Sequence, residues 1–173
     1  MHEAPHFRTV YKFGILSTGH FCDMILQTDG RVGVYRHPNE FAYRISDGFL
    51  EFLSESGDIT SRLKHVPEGN CFLMDGNELY LLPVVTLGPP PAKPRWPARV
   101  MINSIPKSGT YYMSRVMRDL GFVDTGLHAA SDAFTDHRNI ADALKHYDIR
   151  PRIRTCAARA LTAIMRPGEF ILA

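Results

Sequence analysis

Ten residues constrain this chain more than any others: Gly88-Pro89-Pro90-Pro91-Ala92-Lys93-Pro94-Arg95-Trp96-Pro97. Proline fixes φ and has no N–H to donate, so this density excludes helix and central strand and favours an extended spacer. The 173 residues are enough for two small domains, and the spacer predicts where they divide. Residues 7–87 form one module, 88–97 the linker and 98–173 the other. Trp96, the only tryptophan, is expected to pack where the spacer meets the second domain.

Before the spacer, the sequence reads as strands and turns. Val10–Leu16, Phe21–Gln27, Arg31–Arg36, Phe41–Ile45, Phe49–Leu53, Ile59–Lys64, Cys71–Met74 and Glu78–Leu82 are short and rich in β-formers. Between them lie Thr28-Asp29-Gly30, Ser46-Asp47-Gly48, Ser56-Gly57-Asp58 and Asp75-Gly76-Asn77. Asp-Gly supplies the positive φ that tight hairpins need. Turns at this spacing predict an antiparallel meander, a small sandwich or barrel. The acidic residues Asp23, Asp29, Glu40, Asp47, Glu51 and Asp58 fit turns and water-facing strand positions. His37-Pro38-Asn39-Glu40 is the densest polar turn, and a tight turn accounts for it as well as a binding site does. His20, His37 and His65 are separated by whole hairpins, so the sequence does not join them at one metal.

After the spacer the grammar changes. Arg99–Ile105 reads as a short buried strand and Pro106–Thr110 as a loop. From Tyr111, Met113, Val116, Met117 and Leu120 mark one face of an amphipathic helix, which Gly121 ends. Thr125–Ser131 reads as a loop, His137–Tyr147 as a second helix, Ala157–Met165 as a third, and Glu169–Ala173 as another strand. This order predicts the opening of a doubly wound α/β domain. The expected class is α+β overall: an antiparallel β meander followed by a truncated P-loop-like α/β fold.

Charge follows the division. Residues 1–90 hold 7 Lys+Arg against 11 Asp+Glu, a balance of −4; residues 91–173 hold 13 against 7, a balance of +6. A basic second half suits an anionic ligand such as a nucleotide, although a solvated face gives the same imbalance. Arg150, Arg152, Arg154 and Arg159 form a basic cluster that fits a solvated helix flank better than a face towards phosphate or an anionic acceptor. No apolar run is long enough to span a bilayer, and no secretory signal is visible after Met1. Three widely spaced cysteines suggest neither a disulfide framework nor a zinc site, and cytoplasmic residence is the default expectation.

The chemistry concentrates in Pro106-Lys107-Ser108-Gly109-Thr110-Tyr111-Tyr112. A strand ending at a helix N-terminus aims unpaired N–H groups and a positive dipole end at one point. Gly109 lets the backbone close on an anion, Ser108 and Thr110 offer hydroxyls, and Lys107 brings a mobile charge. The order differs from GxxxxGK[ST], because Lys107 precedes Gly109 by two residues.

In this context Ile105-Pro106-Lys107-Ser108-Gly109-Thr110-Tyr111-Tyr112 resembles the 5′-phosphosulfate-binding loop of the sulfotransferase family. The resemblance covers residues 98–173. It implies 3′-phosphoadenylyl sulfate as co-substrate, with no metal, and a carbohydrate or other small hydroxyl acceptor. It places Lys107 against the 5′-phosphate and the bridging oxygen as the catalytic residue. Pro106, Ser108, Gly109, Thr110, Tyr111 and Tyr112 would complete the cofactor loop. The family's histidine base is expected just after Glu169–Ala173, and its 3′-phosphate Arg and Ser on later elements. His128, His137 and His146 stand on intervening elements, so this stretch alone is expected to be inactive. The β-rich half resembles, loosely, small all-β modules that accompany bacterial transferases of surface glycans. Two rivals follow from the residues. One is a magnesium-dependent phosphotransferase with an atypical phosphate loop; the other is a glycan- or protein-binding β module with a degenerate nucleotide-binding tail. No nucleic-acid partner is indicated, and the oligomeric state is left open.

Overall fold

The computed structural model describes residues 5–15, 17–18, 20–67, 71–74, 79–103, 109–130, 133–136 and 153–173. The chain divides into two compact units, Met1–Thr86 and Leu87–Ala173.

The first unit contains β1 (Thr9–Ile15), β2 (His20–Leu26), β3 (Val32–Gly33), β4 (Ala42–Ser46), β5 (Phe49–Leu53), β6 (Ile59–Val66), β7 (Cys71–Leu73) and β8 (Leu79–Thr86). Short 3-10 turns at Pro5–Arg8 and Pro38–Glu40 accompany them. The strands are antiparallel in the order β3-β2-β1-β8-β7-β6-β5-β4. The two ends of this order then meet. Arg31 bridges Ala42, Tyr43 N–H donates to Gly30 O at 2.7 Å, and Val32 N–H donates to Phe41 O at 3.3 Å. The meander is thus an almost closed eight-stranded barrel, which leaves little free edge.

Alternation decides what fills it. Tyr11, Phe13, Met24, Leu26, Tyr43, Leu50, Phe52, Leu63, Phe72 and Leu81 form one buried cluster. An eight-stranded barrel is just wide enough for side chains to occupy its interior. The opposite faces carry cross-strand charge pairs. Lys12 lies opposite Asp23 and holds it at 2.5 Å; Glu51 takes Arg44 on one neighbouring strand and Arg62 on the other. Glu51 is therefore buried beneath two guanidinium groups rather than free in water.

The second unit contains β9 (Val100–Ile102), α1 (Thr110–Asp119), β10 (Val123–Ala130), β11 (Ala133–Asp136), β12 (Ile153–Thr155), α2 (Ala158–Ile164) and β13 (Glu169–Leu172). Its sheet runs β12-β11-β10-β13-β9. β13 lies between β10 and β9 and is parallel to both; β11 and β12 are antiparallel. Ile102, Met117, Phe170 and Leu172 make a core with Val100 and Phe122 packed against it.

These findings correct the expected fold class. The described residues hold thirteen strands and two α-helices, so the chain is mostly β, and a P-loop-like α/β fold is not what it forms. The physical reason lies in residues 123–136. The stretch expected as a loop, Thr125–Ser131, instead carries β10 through Ala130, and β11 folds back antiparallel to it. Antiparallel return needs no crossover helix. The helix expected at His137–Tyr147 lies outside the described residues.

α1 ends as its sequence demands but turns a different face inward. Gly121 adopts φ 91°, its N–H reaches Arg118 O at 2.9 Å, and Phe122 N–H reaches Met117 O at 3.0 Å. This is a Schellman stop with its apolar contact between Met117 and Phe122. The buried positions are Thr110, Ser114 and Met117, whereas Met113 and Leu120 are exposed. Asp124 sets that rotation. It accepts from Ser114 Oγ at 3.0 Å, from Arg118 Nη2 at 2.5 Å and from Gly126 N–H at 2.8 Å. Trp96 stacks on Phe122 and donates to Leu120 O at 2.7 Å.

Candidate functional site

β9 stops at Ile102 and α1 starts at Thr110, so the predicted phosphate loop joins a strand of the parallel pair to a helix N-terminus. Gly109 is the N-cap of α1, at φ 101° and ψ 26°, and no side chain caps the helix. A residue with a Cβ is strained at that φ, which explains glycine here. Among the described residues, a Cβ added at Gly109 would meet nothing nearer than the Tyr112 Cβ at 3.8 Å, so the requirement read there is conformational. Met113 N–H closes the first turn on Gly109 O at 3.0 Å. Thr110 is buried, while Tyr111 and Tyr112 are 76% and 69% exposed.

Four of the seven predicted site residues thus share one helix turn: Gly109, Thr110, Tyr111 and Tyr112. Pro106, Lys107 and Ser108 lie outside the described residues. So do His137, His146, Arg150 and Arg152. Arg159 is exposed on α2.

Sequence reasoning missed His128. It stands on β10 rather than in a loop, in register with Leu172, which is itself in register with Ile102. His128, Leu172 and Ile102 therefore form one row at the carboxyl ends of the parallel strands, where ligands of such sheets gather. Two strand spacings, about 10 Å, separate His128 from Ile102 along that row. The signal was weak in the sequence, because β10 slips by two residues between Asp124 and His128.

The other polar concentration lies in the barrel at His37-Pro38-Asn39-Glu40. Glu40 is buried, with its Oε2 at 2.9 Å from His37 Nδ1 and 3.5 Å from the Tyr35 hydroxyl. His37 Nδ1 also lies 3.2 Å from Asn39 N–H. One nitrogen cannot donate to Glu40 and accept from Asn39 at once, and the shorter contact favours the proton on Nδ1. Burial first, then the Asp23 and Glu40 carboxylates, push the Cys22 thiol up to about 11, so it is not a reactive thiolate. Among the described residues no three His, Cys, Asp or Glu side chains gather as a metal site.

Burial and the Glu40 carboxylate also push the Tyr35 phenol up to about 12. An unfolded tyrosine titrates near 10, so above that pH the unfolded chain loses a proton that the folded one keeps. The stabilising contribution is whole below about pH 10 and is lost as pH rises through the folded value. Urea melts between about pH 9 and 11 are expected to show falling stability, with a shallower fall in Tyr35→Phe. An identical slope in both proteins would refute this assignment.

Among the described residues no helix is long and apolar enough to cross a membrane. No family model, curated protein or solved structure matches this chain.

Proposed function

We propose that the junction between β9 and α1 binds the 5′-phosphosulfate end of 3′-phosphoadenylyl sulfate and serves sulfuryl transfer to a hydroxyl. The acceptor class is a carbohydrate or another small hydroxyl compound. One observation carries the proposal: Gly109, left-handed at φ 101°, is the N-cap of α1, the first helix after parallel strand β9, and among the described residues no side chain makes a capping hydrogen bond there. The first-turn N–H groups of a ten-residue helix are a ready anion site, and the dipole adds to it. The string Pro106 to Tyr112 supplies the matching chemistry. In the transfer, the acceptor hydroxyl oxygen attacks sulfur and gives up its proton to water, and the bond from sulfur to the bridging oxygen breaks. The electron pair leaves with the nucleotide 5′-phosphate, and Lys107 would hold that developing charge. The positive groups that meet this charge need not sit on an α/β layer. A helix N-terminus beside a lysine provides them in any fold.

Calorimetric titration of 3′-phosphoadenylyl sulfate into the whole chain tests the proposal. Lys107→Ala is expected to weaken binding about 100-fold, or about 2.7 kcal/mol, and Lys107→Arg to recover part of it. Equal affinity in the wild type and Lys107→Ala would refute the reading. Affinity that depends on magnesium would favour the phosphotransferase rival.

A further inference from the structure

β3 is cut short. Arg31–Arg36 has the composition of a six-residue strand, yet only Val32 and Gly33 pair with β2. Gly33 lies so close to β2 that a Cβ there would meet Ile25 Cγ1 at 2.7 Å. Val34 then takes φ 72°. A β-branched residue in the left-handed region is strained by about 1–2 kcal/mol, and such strain tends to be kept at working sites. The connection to β4 that follows returns to the barrel at Tyr35, whose ring lies 5.8 Å from that of Phe13. Beside it is a cleft of about 550 Å³ lined by residues that include Arg31, Tyr35, Arg36, His37, Glu40 and Phe41. That volume suits a ligand of disaccharide size.

The lining has three kinds of group. Arg31 and Arg36 are exposed on the rim and have no acidic partner among the described residues; the Arg31 guanidinium lies over the Phe41 ring at 5.5 Å. Glu40 is a buried carboxylate, oriented by His37 and Tyr35. The Tyr35 and His37 rings lie within 13° of parallel, 6.1 Å apart. Guanidinium forks recognise carboxylate or sulfate, a fixed carboxylate accepts hydroxyl hydrogen bonds, and ring faces take the C–H face of a pyranose. Glu40 and Glu55 in the same cleft disfavour a highly charged polyphosphate chain more than a sugar with fewer anionic groups.

We infer that this cleft binds a saccharide carrying a carboxylate or sulfate group. The inference stands whether or not residues 106–112 bind phosphosulfate.

The test is titration of the whole chain with digalacturonate, with N-acetylglucosamine 6-sulfate and with neutral chitobiose, followed by amide NMR. At least one anionic probe is expected to bind saturably, about tenfold or more tighter than chitobiose, with shifts centred on residues 31–41. The two anionic arms tell a carboxylate ligand from a sulfated one. The double variant Arg31→Ala, Arg36→Ala, altered only at exposed side chains, is expected to bind about tenfold more weakly or worse. Lys107→Ala is expected to bind as the wild type does. The inference is overturned by equal binding of chitobiose, by no saturable binding of either anion, by unchanged affinity in the double variant, or by loss in Lys107→Ala.

Discussion

Gly168→Ala is expected to destabilise the second unit by about 3 kcal/mol, whereas Gly109→Ala in the same unit should cost about 1 kcal/mol. Both glycines have positive φ, 84° and 101°, so both substitutions strain the backbone. They differ in space. A Cβ at Gly168 would lie 2.7 Å from Pro94 Cβ and 3.3 Å from Pro94 Cα, where neither side can yield cheaply. At Gly109 the nearest atom among the described residues is 3.8 Å away. Gly168 also joins three segments: its N–H donates to Ala98 O at 2.7 Å, and its carbonyl accepts Val123 N–H at 2.8 Å. Displacing it moves the starts of β10 and β13 together. Trp96, stacked on Phe122 in this unit and the only tryptophan, reports the unfolding by fluorescence in urea. Equal midpoints for the two variants would show that Pro94 yields and that the steric argument fails.

That contrast also marks what the sequence could disclose. Proline density announced an irregular segment, and residues 89–98 contain neither helix nor strand. It could not announce that Pro94 would rest on Gly168, because no local pattern encodes a contact 74 residues away. The stop of α1 was legible because a Schellman motif is local chemistry at Gly121. Its inward face was not. Hydrophobic spacing favours Met113 and Leu120, but Ser114 and Arg118 both bind Asp124, and satisfying that half-buried carboxylate outweighs hiding two partly exposed apolar side chains. The same long-range preference hid β10 and β11.

In the barrel the hairpins were legible for a physical reason. Asp47 and Gly48 take φ 53° and 78°, the two positive values of a type I′ turn, and Ser46 pairs with Phe49 across it. Closure was not legible, since the contacts that join β3 to β4 involve Gly30, Arg31, Phe41 and Ala42 rather than any motif. The candidate sites divide in the same way. Gly109 stood out through the residues beside it as a place where the backbone closes on an anion, but its left-handed φ of 101° is visible only in the structure. Val34 did not, because valine reads as a strand former and only the approach of Gly33 to Ile25 turns it out.

Phe52→Ala is expected to cost the barrel about 3–5 kcal/mol, the largest single effect predicted for the first unit. Phe52 is fully buried and meets Phe13 edge-on, with ring centres 5.3 Å apart. Its ring stands among Tyr11, Leu50, Leu63 and Leu81, on strands that are tied laterally to their neighbours. Such a wall cannot collapse inward without breaking its ladder hydrogen bonds, so most of the vacated volume stays empty. Phe41→Ala supplies the comparison. Phe41 is 38% exposed and touches the Arg31 guanidinium, so its loss should cost about 1 kcal/mol or less. Against a domain stability of about 5–15 kcal/mol, Phe52→Ala removes roughly a fifth of it or more. Hydrogen exchange at the β5 and β6 amides reads this directly, as protection lost in Phe52→Ala and kept in Phe41→Ala. Equal protection in both variants would mean that the Phe52 ring does not fill the barrel.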